Sequence, residues 1–156
     1  MVISKIISGG QTGADRAALD WAIANSISHG GWCPQGRLAE DGILDAKYHL
    51  NEIESGGYRQ RTKRNVTDSD GTLILNIGDL YGGTLATYQF AKRFNKPIIV
   101  VQIDSGVEGD VAAVLLWLRV NKIAKLNVAG PRESKRPSIY NLTMKFMNLL
   151  NDRIEK

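Results

Sequence analysis

Short β-branched apolar runs alternate along this chain with longer segments whose apolar residues recur at helical spacing. That alternation predicts βαβ units, a mostly parallel sheet and helices on both of its faces. The first run covers residues 2–8. Behind a glycine-rich loop at residues 9–13, Leu19, Ile23 and Ile27 repeat at fourfold spacing with alanines beside them, as one face of a helix packed closely on a sheet would. His29, Gly30 and Gly31 break that helix, and Trp32, Cys33 and Pro34 fall where a second strand is expected. Residues 35–58 have no clean period and are longer than an ordinary connection, the kind of segment that forms a binding wall or lid. Residues 61–68 predict a short helix, and residues 72–76 the clearest central strand after the first. A helix starting at Thr84 carries Ala86, Phe90 and Phe94 on one face; Asn95 and Pro97 stop it before another buried strand at residues 98–101. A helix over 111–120, a strand over 125–129 and a terminal helix with Leu142, Phe146, Leu149 and Leu150 as its core stripe complete the pattern.

With 156 residues, 43% of them hydrophobic, the chain is long enough for one core and short for two, so residues 1–156 are expected to form a single domain. Cys33 is the lone cysteine and has no spaced Cys/His partners, while His29 and His49 lack metal-ligand spacing; neither a disulfide nor a bound metal is expected. The amino-terminal run enters its glycine loop without a basic leader, and no apolar run approaches a membrane span, which predicts a cytoplasmic protein. The net charge of +4 is concentrated partly in Arg59-Arg61-Lys63-Arg64 and Arg132-Lys135-Arg136. A compact anion or a solvated surface accounts for these clusters better than nucleic acid, because no aromatic residues alternate with them as a stacking platform.

Chemistry is suggested where three strand ends meet loops of glycine and small polar residues. In an open parallel sheet those ends share one edge, so the loops are expected to converge on one crevice. Ser8-Gly9-Gly10-Gln11-Thr12-Gly13-Ala14-Asp15-Arg16 lies between a predicted strand and a predicted helix. Glycines there allow a tight turn and bring N–H groups close to an anion at the positive end of the helix. The spacing matches neither a P-loop nor a dinucleotide fingerprint, so ATP hydrolysis is not indicated. Thr12 or Gln11 is equally suited to cap the helix, and Asp15 suits its first turn with or without a ligand. Asp15 is also placed to accept a hydrogen bond from a ribose or pterin group, and Arg16 to pair with it or with the anion. Gly82, Gly83 and Thr84 repeat the logic after the second strand, with capping an alternative for Thr84. Gly130, Arg132, Glu133 and Ser134 add a guanidinium fork and a small hydroxyl. Arg37, Asp41, Arg61 and Asn65 form a further polar group suited to a heterocycle or sugar.

Taken together, Ser8 to Asp15, Gly31-Trp32-Cys33-Pro34 with Gly36-Arg37 and Ala39-Glu40-Asp41-Gly42, Arg61-Thr62 with Asn65-Val66, Ser69-Asp70-Gly71-Thr72, Gly82-Gly83-Thr84 and Asn127 to Ser134 closely resemble the family of putative molybdenum cofactor carriers, in order and over almost the whole chain. The resemblance implies a Rossmann-like three-layer sandwich related to lysine-decarboxylase-like nucleotide-processing proteins, and a homo-oligomer, dimer or tetramer. It implies molybdenum cofactor (molybdopterin) as cargo, a phosphorylated pterin that holds its metal through a dithiolene, so that protein contact with the metal is indirect. A nucleotide derivative is the alternative ligand, bound by a sensor or cleaved by a nucleoside-monophosphate glycosidase. The related hydrolases place a Glu three residues beyond the Thr of their second loop, where this chain has Thr87. Without a carboxylate there to stabilise an oxocarbenium ion or activate water, glycosidic cleavage would need Glu40, Asp41 or Glu133 in its place, which favours binding over catalysis.

Overall fold

A computed structural model describes residues 3–104 and 108–155. Its centre is a five-stranded sheet in which every pairing is parallel, built from β1 (Lys5–Ile7), β2 (Ser28–Gly30), β7 (Gly71–Asn76), β8 (Ile98–Gln102) and β9 (Lys125–Ala129) in the order β2-β1-β9-β7-β8. Four short strands, β3 (Trp32–Cys33), β4 (Leu38–Ala39), β5 (Gly42–Ile43) and β6 (Asn51–Glu52), pair outside it as a parallel β3–β6 ladder and an antiparallel β4–β5 ladder. The helices are α1 (Ala14–Ala24), α2 (Tyr58–Thr67), α3 (Gly82–Arg93), α4 (Glu108–Val120) and α5 (Ile139–Glu155).

α1, α4 and α5 pack together over one sheet face, where Trp21, Leu73, Leu75, Leu126, Val128 and Phe146 belong to the main core. α2 and α3 pack against each other around Val66, Phe90 and Ala91 on the other face. This is the parallel sheet covered on both faces that the alternating pattern predicts, and the Rossmann-like three-layer α/β sandwich that the resemblance implies. β7 is buried at every position, as a central strand covered on both faces must be.

Several boundaries differ from the sequence reading for identifiable reasons. Val2, placed in the first run, lies outside the described residues. The second sheet strand is Ser28–Gly30, which overlaps the expected helix break at residues 29–31, while Trp32 and Cys33 pair with β6 instead. Ile23 is exposed and Ile27 lies beyond the end of α1; the alanines Ala14, Ala17, Ala18 and Ala22, with Leu19 and Trp21, form the buried face. α2 begins at Tyr58, upstream of the predicted start. Residues 98–100 are only half-buried because β8 is an edge strand, and Phe94, beyond the last turn of α3, is exposed. Cys33 is fully buried beside Leu19, Leu44 and Tyr48. His29, in β2, stacks on His49 with ring centroids 5.3 Å apart.

Candidate functional site

β9 and β7 are neighbours, yet the chain leaving β9 turns to the α5 face and the chain leaving β7 turns to the α3 face. Divergence of that kind opens a crevice at the carboxyl edge of a parallel sheet. A cavity of about 290 Å³ lies there, with Gly9 from the β1–α1 loop, Gly82 to Thr84 from α3 and Gly130 from the β9–α5 loop on its walls. The three loops converge as expected. Their approach is close: a Cβ on Gly13 would fall 2.4 Å from the Pro131 carbonyl oxygen, and one on Gly130 would fall 2.2 Å from that of Leu75.

One side of the cavity is the open end of α3. Tyr81 is its N-cap residue and supplies no side-chain hydrogen bond, and the first helical bond runs from the Leu85 N–H to the Tyr81 carbonyl at 3.2 Å. The N–H groups of Gly82, Gly83 and Thr84 therefore have no acceptor among the described residues, nor does the Thr84 hydroxyl, and all three residues line the cavity. Gly82 holds φ +56°, and a Cβ on Gly82 or Gly83 would meet nothing within 4 Å. Thr84 is thus not the cap; it stands two residues inside the helix with its hydroxyl free. Free N–H groups at the positive end of a helix form an anion site. Arg132 and Lys135 line the same cavity, and Arg132 is held only loosely, 3.9 Å from Glu40.

The β1–α1 wall is different in character. Arg61 Nη1 meets Asp15 Oδ2 at 3.4 Å, with both side chains buried, and the guanidinium lies so close to the loop that a Cβ on Gly9 would be 1.7 Å from it. Burial pushes the Asp15 carboxyl above the usual carboxylate range, although Arg61 and the Gln11 N–H pull it down. Asn65 Oδ1 accepts the Trp32 N–H at 2.8 Å and its amide donates to the Trp32 carbonyl at 3.0 Å, fixing β3 to α2 while the residue lines the cavity.

Of the remaining expected site residues, Thr12, Arg37, Asp41, Glu133 and Ser134 hold the loops in place, and these with Gly10 and Gly13 do not line this cavity. Neither Gln11 nor Thr12 caps α1, whose N-cap is Gly13 without a side-chain bond. Gln11 does line the cavity, but its Oε1 accepts the N–H groups of Thr12 and Glu40 at 3.0 and 2.8 Å. Glu40 is the knot between loops: one oxygen accepts the Thr12 hydroxyl and the other the Ser134 hydroxyl at 2.5 Å. Glu133 accepts the N–H groups of Ser138 and Tyr140 at 2.7 and 2.9 Å, serving the start of α5. Arg37, at φ +57°, donates to the carbonyls of Leu50, Asp45 and Tyr48, so its charge organises residues 37–50. Asp41 takes a bidentate pair from Arg16 at 2.9 and 3.0 Å, and Arg16 also donates to the Gly10 carbonyl. Arg16 pairs with Asp41, not with Asp15.

The cavity also contains residues that sequence reasoning did not select. Asn127 is a buried strand residue bonded to Thr72 Oγ1 at 3.2 Å across the β9–β7 register, and nothing in its local pattern marked it as accessible. Tyr81 exposes its ring at the mouth, with the Arg136 guanidinium 4.9 Å from the ring centroid. Thr87 donates to the Gly83 carbonyl at 2.9 Å, and Lys135 came with the basic cluster but not as a site residue. That cluster and its partner on α2 do not form one basic face: Arg59, Lys63 and Arg64 lie over Phe90, Phe94 and Trp32, while Arg61 enters the cavity.

Residues 6–151 match the Circularly permutated YpsA SLOG family. The chain belongs to that family. No curated protein matches it. Among solved structures it is similar to a putative molybdenum carrier protein from Syntrophus aciditrophicus SB, with 47% identity, a TM-score of 0.93, and coverage of 96% of this chain and 95% of that one. In this member of the YpsA SLOG family, Asp15 is the only carboxylate among the described residues lining the cavity. Among the described residues no three His, Cys, Asp or Glu side chains gather as a metal site, and no helix is long and apolar enough to cross a membrane.

Proposed function

We propose that this protein binds a phosphorylated pterin and carries molybdenum cofactor as its cargo, with residues 1–156 acting as one ligand-binding domain. The observation that carries the reading is the open start of α3: three N–H groups and the Thr84 hydroxyl, all without acceptors among the described residues, face a cavity that Arg132 and Lys135 also line. A dianionic phosphate satisfies all of these groups at once, and its charge is favoured by the helix end and by both cations. The cavity of about 290 Å³ is at the lower end of the range for small-molecule sites, which suits a compact ring with one phosphate. The pterin rather than another phosphate ester is supported by the name of the similar structure, a putative molybdenum carrier protein. The cargo would bring its own metal, bound through its dithiolene, while the protein holds phosphate and ring.

Cleavage of a nucleoside monophosphate is the poorer reading. Glycosidic hydrolysis by the usual route needs two carboxylates flanking the bond, and Asp15 is the only one at the described cavity wall, with Thr87 on the opposite helix. The test is mass spectrometry and metal analysis of small molecules released on denaturing protein purified from a host that makes the cofactor. A pterin phosphate with molybdenum, near one per chain and lost when Lys135 and Thr84 are both replaced by alanine, is the expected result. A stoichiometric ligand lacking the pterin would refute the cargo assignment, and sustained turnover of a nucleoside monophosphate would refute the non-catalytic one.

A further inference from the structure

The β1–α1 wall holds two buried donors committed to nothing. Gln11 is 6% exposed, and because Oε1 is pinned by two backbone N–H groups, the amide orientation is fixed and Nε2 is left without a partner. Arg61 is 9% exposed and gives Nη1 to Asp15, while its Nε has no partner. Both residues line the cavity, and buried polar atoms without partners are uncommon in native interiors. Beside them, Asp15 is 6% exposed, and its carboxylate is engaged only through Oδ2, by two long contacts of 3.4 Å from the Gln11 N–H and Arg61.

A second anion would lie against the Asp15 carboxylate and is disfavoured there. A neutral carbonyl flanked by ring N–H donors answers every group on the wall, since the two orphaned donors need an acceptor and the carboxylate accepts. We infer that this wall reads the edge of a 2-amino-4-oxopyrimidine ring, the edge common to pterins and guanine. Asp15 takes the ring N–H and the exocyclic amino group, and Gln11 Nε2 with Arg61 Nε donates to the ring carbonyl. A 6-aminopurine presents the reverse pattern: its amino group meets the two donors, and its unprotonated ring nitrogen faces the carboxylate. The inference deepens the proposed function and rests on it, because the phosphate end at α3 is what brings the ring to this wall.

The test compares guanosine monophosphate, adenosine monophosphate and ribose 5-phosphate by calorimetry. The guanine nucleotide is expected to bind at least about tenfold more tightly than the adenine nucleotide, because a site built to pair polar groups rejects an analogue that leaves them unpaired. Gln11→Glu keeps the Oε1 contacts and turns the free donor into an acceptor; Asp15→Asn keeps shape and removes the charge. Each is expected to shrink the preference below about threefold, with melting curves showing that the variants fold. Equal binding of the two nucleotides by the unaltered protein, or a preference for adenine, overturns the edge assignment and leaves the phosphate reading standing. Failure of all three phosphates to bind overturns both.

Discussion

Replacing Glu40 with alanine tests whether one side chain holds three loops around the cavity. Glu40 accepts the Thr12 hydroxyl, the Ser134 hydroxyl at 2.5 Å and the Ser134 N–H at 3.2 Å, joining the β1–α1 loop and the β9–α5 loop through the β4–β5 ladder. Its side chain is 20% exposed, so the donors left behind regain water, and a net loss of about 1 kcal/mol for each hydroxyl bond gives about 2 kcal/mol in total. For a chain of this size that corresponds to a fall in melting temperature of about 4–8 °C. The pH dependence adds a second, independent check. Burial acts to raise the Glu40 carboxyl, but the bonds from Ser134 and Thr12 outweigh it and hold the group below its ordinary value of 4.5. A carboxyl depressed in the folded state contributes stability above its unfolded value and loses it as pH falls through the lower, folded one. The gap between the unaltered protein and Glu40→Ala is therefore expected to be constant near neutral pH and to close below about pH 4, as read by thermal melts across that range. A fall under about 1 °C near neutrality, or a gap that persists undiminished at about pH 2, would refute the account of Glu40 as the tie.

Gly13→Ala is expected to destabilise the fold by about 3 kcal/mol or more in chemical denaturation, because φ +82° with ψ −131° suits glycine alone and the added Cβ meets the Pro131 carbonyl oxygen at 2.4 Å. Gly83→Ala puts its Cβ into open space, so melting temperature is expected to hold or rise slightly while affinity for ribose 5-phosphate drops at least about tenfold; unchanged affinity would place the anion elsewhere. Burial, followed by hydrogen bonds to Asp20, pushes Tyr140 up to about 12 and Tyr48 higher still, both hydroxyls donating to that carboxylate at 2.5 Å. Their neutral form stabilises the fold fully below about pH 10, the ordinary tyrosine value, and loses that contribution as pH rises through about 12; ultraviolet titration should show both ionising late, and Asp20→Asn should advance them.

The layered α/β class, the central strand at residues 72–76 and the convergence of three glycine loops were determined by the sequence alone, because burial on both faces and helical period are local signals. The resemblance to molybdenum carriers was legible for the same reason, carried by contiguous blocks such as Ser8 to Asp15. The division of labour within those blocks was not. Arg37, Asp41, Glu133 and Ser134 read as ligand residues because charged and polar side chains beside glycines look alike whether they face a ligand or a neighbouring loop. Asn127 and Tyr81 were missed for the converse reason: one sits in a buried strand and the other is a lone exposed aromatic, and only the order β1-β9-β7 and the divergence of α5 from α3 expose both to one cavity. Partners separated by 94 residues, such as Glu40 and Ser134, or by 46, such as Asp15 and Arg61, depend on strand order and loop path, which no local period encodes. Local pattern set the main strands and helices; the tertiary structure decided which of their polar groups are spent on each other and which stay unpaired at the cavity.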